Sequence, residues 1–495
     1  MPQKILIIGG GVAGLSAGIY GRLNGYDTEI LEMHSLPGGQ CTAWKRKDYT
    51  FDYCIHWLVG SSHGPFHDVW KETGALDDDT VIVDPVRHST LRLPDGDEFI
   101  IHADIDRWES YLLEQAPEDH RAIRRMCKDM RKVGRIDMFD KPPFQRSVRD
   151  QLGFALNNRS ALAVLLRYGR LSLKQYILRL GLKNEKLKER LLLLGAGMED
   201  FSALAFLFTL VWFSQKNAGY PLGGSLPFAQ RMARRYEELG GRFRGNARVE
   251  KILVEKGKAV GVRLADGTDL RGDEVIGACD LHALMLGMLE GKHMTKSIRN
   301  ALETWPLFTP VVQVSFGIDT PVEAPVQMLQ VHAPGDSMGS TVLRTGYGIS
   351  HYNHDPLITP AGKCVMKLLF ESPFSIWEGL NREQYLAEKE RIREDAVRKL
   401  EQVYPQVRGH IDVVDVATPL TDVRYTGVWQ GAYEGFLPTR KNLMKTLPMT
   451  VKTLDHFYLI GQWTFPGGGL PPSAQSGKWV IQRLAARDGK DFRVR

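Results

Sequence analysis

The sequence predicts an α/β fold, and three adjoining features near its beginning predict it. Lys4-Ile5-Leu6-Ile7-Ile8 is a short, β-branched run bounded by glycine, which is typical of a buried parallel strand. Gly9-x-Gly11-x-x-Gly14 follows, and helical periodicity then continues to Asn24. Residues 28–32 have the composition of a second strand and end in a carboxylate. Strand, glycine turn, helix and strand in this order predict the βαβ unit of a Rossmann-type domain that binds a dinucleotide.

Each glycine of this motif has a separate mechanical role. Gly9 makes the tight turn, Gly11 lets the backbone approach a pyrophosphate, and Gly14 lets the helix pack closely on the strand. The helix N-terminus, with Ala13 in its first turn, offers free N–H groups and a positive dipole end to the phosphates. A secretory signal is excluded because the apolar run stops after four residues at consecutive glycines.

Glu32 is the expected partner of the ribose. It ends the second strand eighteen residues beyond Gly14, where an acid that binds a ribose hydroxyl is expected. We assign Met33 to the cofactor together with it. The alternative is that Glu32 is only a solvated acid at a strand end.

The composition excludes several classes of function. A chain of 495 residues is too long for one simple core, so we expect two or more domains. Its 64 basic and 58 acidic residues give a net charge of +6, which is too mild to indicate nucleic-acid binding. No apolar run reaches the roughly 18 residues that a membrane-spanning helix needs. The five cysteines have neither Cys-x-x-Cys nor metal-ligand spacing, so we expect a reducing, cytoplasmic setting without disulfides, a metal site or a dithiol pair.

A second glycine pair indicates which dinucleotide is bound. In Leu36-Pro37-Gly38-Gly39-Gln40, Gly38 and Gly39 let the backbone approach the cofactor again, beyond what an NAD-binding fold requires. Glu32-x4-Pro-Gly-Gly after the first glycine motif resembles the flavin-containing oxidoreductases of the amine oxidase superfamily. This resemblance implies non-covalently bound FAD. In that superfamily the position of Gln40 is commonly an arginine that contacts the cofactor phosphates, so this chain has to supply that contact elsewhere.

The resemblance continues along the chain and implies a Rossmann-type, glutathione-reductase-like FAD-binding domain with an inserted α+β substrate domain. Residues 220–241 look like the family's second FAD-binding segment, and the strand around Val249 like the one whose backbone meets the adenine. Residues 247–264, with a turn at Asp266-Gly267, predict a β-hairpin, and residues 274–280 resemble the strand that returns to the FAD-binding domain. The implied segments are 1–85, 220–290 and 425–495 for the FAD-binding domain, 86–219 for a helical, membrane-associating part of the substrate domain, and 291–424 for its mixed sheet.

The C-terminal segment carries a second helix N-terminus for the cofactor. Residues 457–461 predict a strand followed by glycine, and the Gly/Pro-rich residues 466–473 open a helix that continues to Leu484. A helix N-terminus aimed at the flavin's pyrimidine ring would stabilise the negative charge of reduced flavin. We therefore assign Gly461, Gly469, Leu470 and Ser473 to the cofactor, with Ser473 as the N-cap. The alternative is a surface turn.

A second nucleotide-binding unit is not expected. Residues 195–200 are the one other glycine-rich candidate, but they lack the third glycine and follow charged residues at helical spacing, so they indicate a helix end. Electrons therefore enter or leave through transient NAD(P)H, a quinone, oxygen or the substrate itself.

A basic and apolar segment indicates contact with lipid. Between Asp150 and Glu185 there is no acid, while six basic residues interrupt leucines and isoleucines at roughly helical intervals. Such a segment can lie among the headgroups of an anionic membrane, and the alternative is a core helix pair with a solvated cationic face. Residues 203–213 are apolar all round but too short to span a bilayer, so they form a buried helix, a tunnel wall or a membrane-dipping element. We expect a peripheral protein on the inner face of the cytoplasmic membrane that draws an apolar substrate from the bilayer. The six basic residues are Arg159, Arg167, Arg170, Lys174, Arg179 and Lys183.

Two further blocks narrow the resemblance. Thr418-Pro419-x-Thr421-x-x-Arg424-Tyr425-Thr426-Gly427 and the following Gly431-Ala432-Tyr433 resemble the branch that contains phytoene desaturases, carotenoid isomerases and retinol saturases. Phe51-Asp52-x-x-Ile55-His56-Trp57 is similar to the retinol saturase pattern. In this chain Glu434 follows where an apolar or small residue is usual. The resemblance implies an FAD-dependent oxidoreductase acting on C=C or C–C bonds of an apolar polyene or isoprenoid lipid, by desaturation, saturation or isomerisation.

His56 is the candidate proton donor, because an imidazole can titrate near neutral pH; the alternative is a core histidine. Asp52 is interpreted as a structural cap. Trp57, Trp429 and Tyr433 are predicted to line the substrate pocket, with an aromatic core as the alternative. Two other functions stay open, a flavin amine oxidase acting on a small amine and a flavoprotein that serves as a membrane scaffold without turnover.

Overall fold

The computed structural model describes residues 2–136, 141–195, 198, 200–324 and 328–495. Over these residues the strands, in chain order, are β1 (Lys4–Ile8), β2 (Asp27–Leu31), β3 (Ala43–Arg46), β4 (Tyr49–Asp52), β5 (Leu58–Val59), β6 (Ile82–Val83), β7 (Arg87–Arg92), β8 (Glu98–His102), β9 (Ala218–Pro221), β10 (Arg242–Arg244), β11 (Val249–Glu255), β12 (Lys258–Leu264), β13 (Asp269–Arg271), β14 (Glu274–Gly277), β15 (Val311–Ile318), β16 (Met328–His332), β17 (Ser337–Met338), β18 (Thr341–Val342), β19 (Gly346–His351), β20 (Cys364–Glu371), β21 (Ile411–Ala417), β22 (Thr450–Val451) and β23 (Leu454–Leu459). The helices are α1 (Val12–Leu23), α2 (Gly64–Glu72), α3 (Ile105–Gln115), α4 (His120–Val133), α5 (Val148–Asn157), α6 (Arg159–Tyr168), α7 (Leu173–Leu180), α8 (Glu185–Leu193), α9 (Ala203–Ser214), α10 (Ser225–Glu238), α11 (Lys296–Thr304), α12 (Arg382–Val403), α13 (Pro419–Thr426) and α14 (Leu470–Arg487).

A parallel sheet in the order β10-β2-β1-β14-β23 forms the nucleotide-binding domain. Its strands come from three separate stretches of the chain, so the sheet closes only after the C-terminal strand has returned to it. Leu6 and Ile7 are fully buried in the central strand β1, because α1, α10 and α14 cover one face of the sheet and the strands β11 and β12 cover the other. The α/β class that the sequence predicts is therefore the observed one.

Helix α1 packs between α10 and α14 at distances that larger residues would prevent. A Cβ atom on Gly477 of α14 would lie 2.7 Å from the Ala13 carbonyl oxygen of α1. A Cβ atom on Gly18 would lie 2.7 Å from the ring of Tyr236 on α10. These two glycines therefore bring the C-terminal helix and α10 against the helix that begins at the first glycine motif.

The predicted β-hairpin exists, but its turn differs from the expected one. Strands β11 and β12 pair through a tight turn at Lys256-Gly257, and both turn residues have positive φ. Asp266-Gly267 instead turns the chain from β12 to β13. Both sites have turn-forming residues, so the sequence alone does not rank them.

A mixed sheet in the order β21-β15-β20-β19-β16-β7-β8 forms the second domain. Strands β7 and β8 belong to residues 86–219, which were expected to be the helical part, so that segment is mixed rather than helical. Helix α12 buries Ile392, Ala396 and Leu400 against this sheet.

The helices of residues 105–214, apart from α5, share a separate apolar core to which α9 contributes. Leu204, Leu207 and Leu210 of α9 are buried, which identifies the apolar residues 203–213 as a buried helix. The charged stretch before residue 195 forms α8, as its helical spacing predicts. Ala196, Gly197 and Glu199, part of the rejected nucleotide motif, lie outside the described residues.

The basic segment divides into two parts with different environments. Helices α6 and α7 bury apolar residues against the helical core and present cations to solvent, which is the arrangement of a core helix pair. Helix α5 buries none of its residues and exposes Val148, Leu152 and Leu156 by 73%, 60% and 72%. Among the described residues, no helix is both long and apolar enough to cross a bilayer.

Candidate functional site

The first glycine motif leaves an open groove at the end of β1. Gly9 has a φ of +105°, which favours glycine, and a Cβ atom on Gly14 would lie 2.0 Å from the Gly9 carbonyl oxygen. Gly11 has neither constraint, because its φ of −71° suits any residue and the nearest protein atom to its Cβ would be the Gly38 oxygen at 3.9 Å. A Cβ atom on Gly39 would also have room, because the nearest protein atom, the Gly11 Cα atom, would lie 3.5 Å away. Protein packing explains Gly9 and Gly14, whereas the space beside Gly11 is free for a ligand.

Glu32 is buried rather than solvated. Its carboxylate accepts hydrogen bonds from the Gly10 N–H at 2.6 Å and the His34 N–H at 2.9 Å. Burial raises the pKa of Glu32, and these main-chain donors offset part of the increase. The acid is thus fixed beside the glycine turn, which contradicts the solvated-acid alternative.

The ribose side of the groove is held together by main-chain contacts to Glu32. The Ala247 N–H donates to the Glu32 carbonyl oxygen at 2.8 Å, which places Val249, at the start of β11, close to the end of β2. Met33 lies opposite, with its sulfur 3.5 Å from the Cβ position of Gly427. The predicted cofactor residues of the N-terminal and central segments therefore converge.

The C-terminal segment closes the groove with a second helix N-terminus. Helix α14 begins at Leu470 after Gly469, whose φ is +82°. The prediction that Ser473 is the N-cap was wrong. Ser473 lies within the first turn of the helix, and its hydroxyl donates to the Gly469 oxygen at 2.6 Å. Gly461 lies against the start of α1, since its Cβ atom would be 3.7 Å from the Ala13 Cβ atom.

Gln40 connects the N-terminal and C-terminal sides of the groove. The side-chain amide of Gln462 donates to the Gln40 Oε1 atom at 3.3 Å. Position 40, where the family pattern has an arginine, carries the neutral Gln40, so side-chain amides and helix N-termini are the phosphate-binding groups identified at this groove. Two uncapped helix N-termini, an open glycine groove and a buried ribose acid fit FAD.

Two carboxyls near this groove have raised pKa values: Asp422, which the sequence reasoning did not single out, and Glu434, which it noted only as a departure from the family pattern. The Tyr53 hydroxyl donates to Asp422 Oδ2 at 2.6 Å, and burial raises the pKa of Asp422 to about 7. The Glu434 Oε1 atom would lie 3.5 Å from a Cβ atom on Gly469, and burial raises the pKa of Glu434 to about 7. Both groups can hold or release a proton near neutral pH.

A thiol pair was also missed. Thr42 and Tyr53 continue the antiparallel pairing of β3 and β4, which places Cys41 near Cys54. The Cys41 thiol donates to the Ser225 carbonyl oxygen at 3.3 Å, and burial raises the pKa of Cys41, with Cys54 raising it further. Both cysteines are free. The cysteine spacing argued only against a vicinal dithiol redox pair, and cross-strand neighbours such as Cys41 and Cys54 leave no fixed spacing in the sequence.

Apart from the glycine groove, a cavity of about 30 Å³ lies between the nucleotide-binding domain and the second domain. It is called the histidine cavity below. Trp57 packs on Phe213 with ring centroids 5.4 Å apart, and His88 packs on the same ring at 4.7 Å. The Phe213 end of α9 therefore reaches this cavity. Its lining residues are His56, Trp57, Pro85, His88, Phe213, Ala218, Tyr220, Met328, Ser350, His351 and Tyr352.

Trp429 and Tyr433, which were predicted to line the pocket with Trp57, lie elsewhere. Trp429 stacks on His282 at 4.7 Å, in the nucleotide-binding domain. Tyr433 packs against Phe308 at 5.4 Å. Trp57 lines the histidine cavity and these two side chains do not, and the prediction that Trp429 and Tyr433 line a substrate pocket stays a prediction.

His56 does not titrate near neutral pH. Burial lowers the pKa of His56 well below its usual range, and the ammonium of Lys367 lowers it further. The imidazole is therefore neutral at physiological pH, and its Nε2 atom is buried without a hydrogen-bond partner among the described residues. The expectation that it titrates was wrong because the sequence does not reveal either its burial or the nearby cation.

Asp52 has the structural role that the sequence predicts. Its carboxylate accepts hydrogen bonds from the Ser225 N–H at 2.7 Å and the Ser225 hydroxyl at 3.2 Å, which caps the start of α10. The Lys367 ammonium lies 3.4 Å from the Asp52 carbonyl oxygen. Burial raises the pKa of Asp52 to about 6 and lowers that of Lys367 to about 8.

Comparison with known proteins agrees with this geometry. A carrot (Daucus carota) chloroplastic prolycopene isomerase is 23% identical over 97% of this chain and 80% of its own length. A phytoene desaturase (neurosporene-forming) from Cereibacter sphaeroides is 25% identical over 98% of this chain and 94% of its own.

Solved structures share the fold at lower identity. An oxidoreductase from Methanosarcina mazei superposes with a TM-score of 0.64 at 16% identity, covering 97% of this chain and all of its own. Wild-type putrescine oxidase superposes with a TM-score of 0.62 at 14% identity, covering 98% of this chain and 100% of its own. The family model described as flavin containing amine oxidoreductase matches residues 12–484. The chain therefore belongs to the flavin-containing amine oxidoreductase family and is an FAD-dependent oxidoreductase.

Proposed function

We propose that this enzyme acts on C=C or C–C bonds of an apolar polyene or isoprenoid lipid, by desaturation, saturation or isomerisation. The observation that carries the proposal is the match to a prolycopene isomerase and a phytoene desaturase over 97% and 98% of the chain. The match thus includes both the nucleotide-binding groove and the sheet that bounds the histidine cavity.

The chain's own residues suit a substrate without charge. When bound, FAD supplies the exchange of two electrons with the substrate. Trp57, Phe213 and Met328 give the histidine cavity apolar walls that exclude water. The proton that accompanies such a reaction can be held by the carboxyl of Asp422 or Glu434, because the pKa of each is near 7. His56 stays neutral and is better suited to orient a substrate than to protonate it.

The histidine cavity does not favour oxidation of a small amine. None of its lining residues is an acid, so the cavity offers no carboxylate to replace the hydration of a cationic amine. The similarity to putrescine oxidase is therefore a similarity of fold.

Product analysis tests the proposed function. The holoenzyme, oxidised or chemically reduced, is incubated with phytoene, prolycopene or putrescine, with a quinone or NAD(P)H as the electron partner. We expect one of the polyenes to change its chromophore length or geometry, and putrescine to stay intact. Conversion of putrescine alone would contradict the proposal.

We also propose that α5 seats the protein on the anionic inner face of the cytoplasmic membrane. Val148, Leu152 and Leu156 follow one another at helical spacing and are exposed to solvent. Arg149 and Arg159 are exposed beside them and suit anionic headgroups. Free cysteines suit the reducing side of that membrane.

Vesicle flotation tests this association. Leu152→Glu combined with Leu156→Glu is expected to weaken binding to phosphatidylglycerol vesicles roughly 100-fold, because each buried leucine contributes about 1.5 kcal/mol or more. Leu386→Glu on α12, at a leucine that is 51% exposed on the second domain, is the matched control and should bind normally. Equal flotation of the α5 double variant and the wild type would exclude α5 as the contact.

A further inference from the structure

Cys41 and Cys54 are cross-strand neighbours at the open end of the β3–β4 hairpin. The register of the hairpin continues to Thr42 and Tyr53, where the Tyr53 N–H donates to the Thr42 oxygen at 3.1 Å. The two cysteines come next along the two chains. In regular antiparallel pairing, the opposed residues next to a hydrogen-bonded pair have Cα atoms about 4.5 Å apart. A disulfide spans Cα separations of about 4.4–6.8 Å, so the register brings the cysteines within its reach.

One buried residue at the start of α10 contacts both cysteines. The Cys41 thiol donates to the Ser225 carbonyl oxygen at 3.3 Å, and the Cys54 N–H donates to the Ser225 hydroxyl at 3.2 Å. Ser225 is itself fixed, because it is fully buried and its N–H donates to Asp52 at 2.7 Å. These contacts hold the two cysteines together independently of the strand register.

The glycine groove holds Cys41 from its other side. The Cys41 N–H donates to the Gly38 oxygen at 3.0 Å, and the Gly38 N–H donates to the Gly10 oxygen at 2.9 Å. Cys41 therefore ends the loop that closes on the first glycine motif. A bond between the two sulfurs would join this loop to the segment that leads to His56.

The two thiols differ in their access to solvent. Cys41 is 1% exposed, whereas Cys54 is half-buried. Burial raises the pKa of Cys41, and Cys54 raises it further, so Cys41 stays protonated at neutral pH. A small oxidant from solution therefore meets the Cys54 sulfur first, and Cys41 is placed to react with the product.

We propose that Cys41 and Cys54 are a modification site at which hydrogen peroxide forms a reversible disulfide. The Cys54 sulfur first attacks a peroxide oxygen, so that an S–O bond forms, the O–O bond breaks and water leaves. The Cys41 sulfur then attacks the resulting sulfenic acid, so that the S–S bond forms, the S–O bond breaks and a second water leaves with the Cys41 proton. The two thiols lose two electrons, and one peroxide is reduced to two waters. Transient disulfides of this kind occur in reducing compartments, where dithiols reverse them by exchange.

Peptide mapping of the wild-type holoenzyme tests the assignment without any substitution. The protein is reduced with dithiothreitol, freed of it, exposed to a small excess of hydrogen peroxide, denatured in iodoacetamide and digested. We expect the number of free thiols to fall from five to three. The peptides of Cys41 and Cys54 should be joined and lighter than their sum by two hydrogens, until dithiothreitol separates them.

Three other results of the map would overturn the assignment. They are unchanged alkylation of both cysteines, a disulfide that joins either one to another cysteine, and sulfinic acid at Cys54 while Cys41 is still alkylated.

Single variants test the order of the two steps. Cys54→Ser should keep Cys41 reduced, because peroxide does not reach it. Cys41→Ser, whose hydroxyl can still donate to the Ser225 oxygen, should leave Cys54 as a sulfenic acid that dimedone labels. Cys279→Ser is the matched control at another half-buried cysteine and should form the disulfide as the wild type does.

Flavin absorbance verifies that each variant is folded, and the wild-type map decides the question where a variant is not. Oxidation of Cys41 in Cys54→Ser, or loss of the Cys41–Cys54 disulfide in Cys279→Ser, would overturn the proposed steps.

Discussion

Gly11→Ala is expected to weaken FAD binding about 10- to 100-fold while leaving the apoprotein as stable as the wild type. The added methyl group meets no protein atom closer than 3.9 Å, and the φ of Gly11 suits alanine, so the fold tolerates it. The methyl group instead enters the groove where the pyrophosphate approaches the backbone, and such overpacking costs about 1–3 kcal/mol. Flavin content after purification, FAD titration and urea unfolding of the apoproteins give the two quantities separately.

Gly14→Ala should instead destabilise the folded apoprotein, which Gly11→Ala leaves as stable as the wild type. A Cβ atom there lies 2.0 Å from the Gly9 carbonyl oxygen, which is backbone and cannot move aside cheaply. Gly14→Ala should therefore destabilise the apoprotein itself by about 3 kcal/mol or more. Gly153→Ala in α5, where no atom lies within 4 Å of the Cβ position, is the control for the substitution alone. Normal FAD affinity in Gly11→Ala would show that the groove is not the pyrophosphate site.

Asp52→Ala is expected to lower the free energy of unfolding by about 2–3 kcal/mol near pH 7. The carboxylate caps α10, and its negative charge raises the pKa of the buried Lys367, whose side chain is 1% exposed. Without Asp52 the ammonium loses this attraction, and release of its proton limits the charge contribution to about 1.4 kcal/mol at pH 7, to which the lost cap adds about 1 kcal/mol. Urea unfolding of the apoprotein measures the loss.

The pH dependence identifies the charge as the cause. Lys367 has a lowered pKa in the folded state, so its contribution to stability is present above its unfolded pKa and is lost as pH falls through about 8. Near pH 9 the ammonium is largely neutral, and the loss in Asp52→Ala should shrink towards the cost of a helix cap, about 1 kcal/mol. Adding Lys367→Met to the Asp52→Ala variant should restore a similar part of the free energy of unfolding near pH 7. A loss that does not change with pH or with the second substitution would mean that only the cap matters.

The sequence predicted the nucleotide-binding domain well because its signals are local. Gly9, Gly14 and Glu32 are set by the geometry of one turn and two strands, and the structure places them as expected. Ser473 was misassigned because several small residues precede α14, and nothing local says which one starts the helix.

The second domain and the chemical groups of the site were harder to predict, because long-range pairing creates them. Strands β7 and β8 join a sheet whose other members follow more than 200 residues later in the chain. The lowered pKa of His56 is due first to burial and then to Lys367 of β20, and the raised pKa of Asp422 is due to burial, which the Tyr53 hydroxyl offsets only in part. Trp429 and Trp57 look alike in the sequence, and only the fold separates the aromatic core from the cavity.

Action of this flavoprotein on a polyene is tested most directly by the flavin absorbance. It is recorded in a single turnover, by anaerobic rapid-scan spectroscopy of the vesicle-bound holoenzyme. Oxidised and pre-reduced enzyme are each mixed with a polyene alcohol, its hydrocarbon analogue or putrescine. We expect one flavin state to change together with the polyene band, or the polyene to isomerise only with reduced flavin. Action on a polyene would be contradicted if no polyene changed with either flavin state while putrescine reduced the oxidised enzyme.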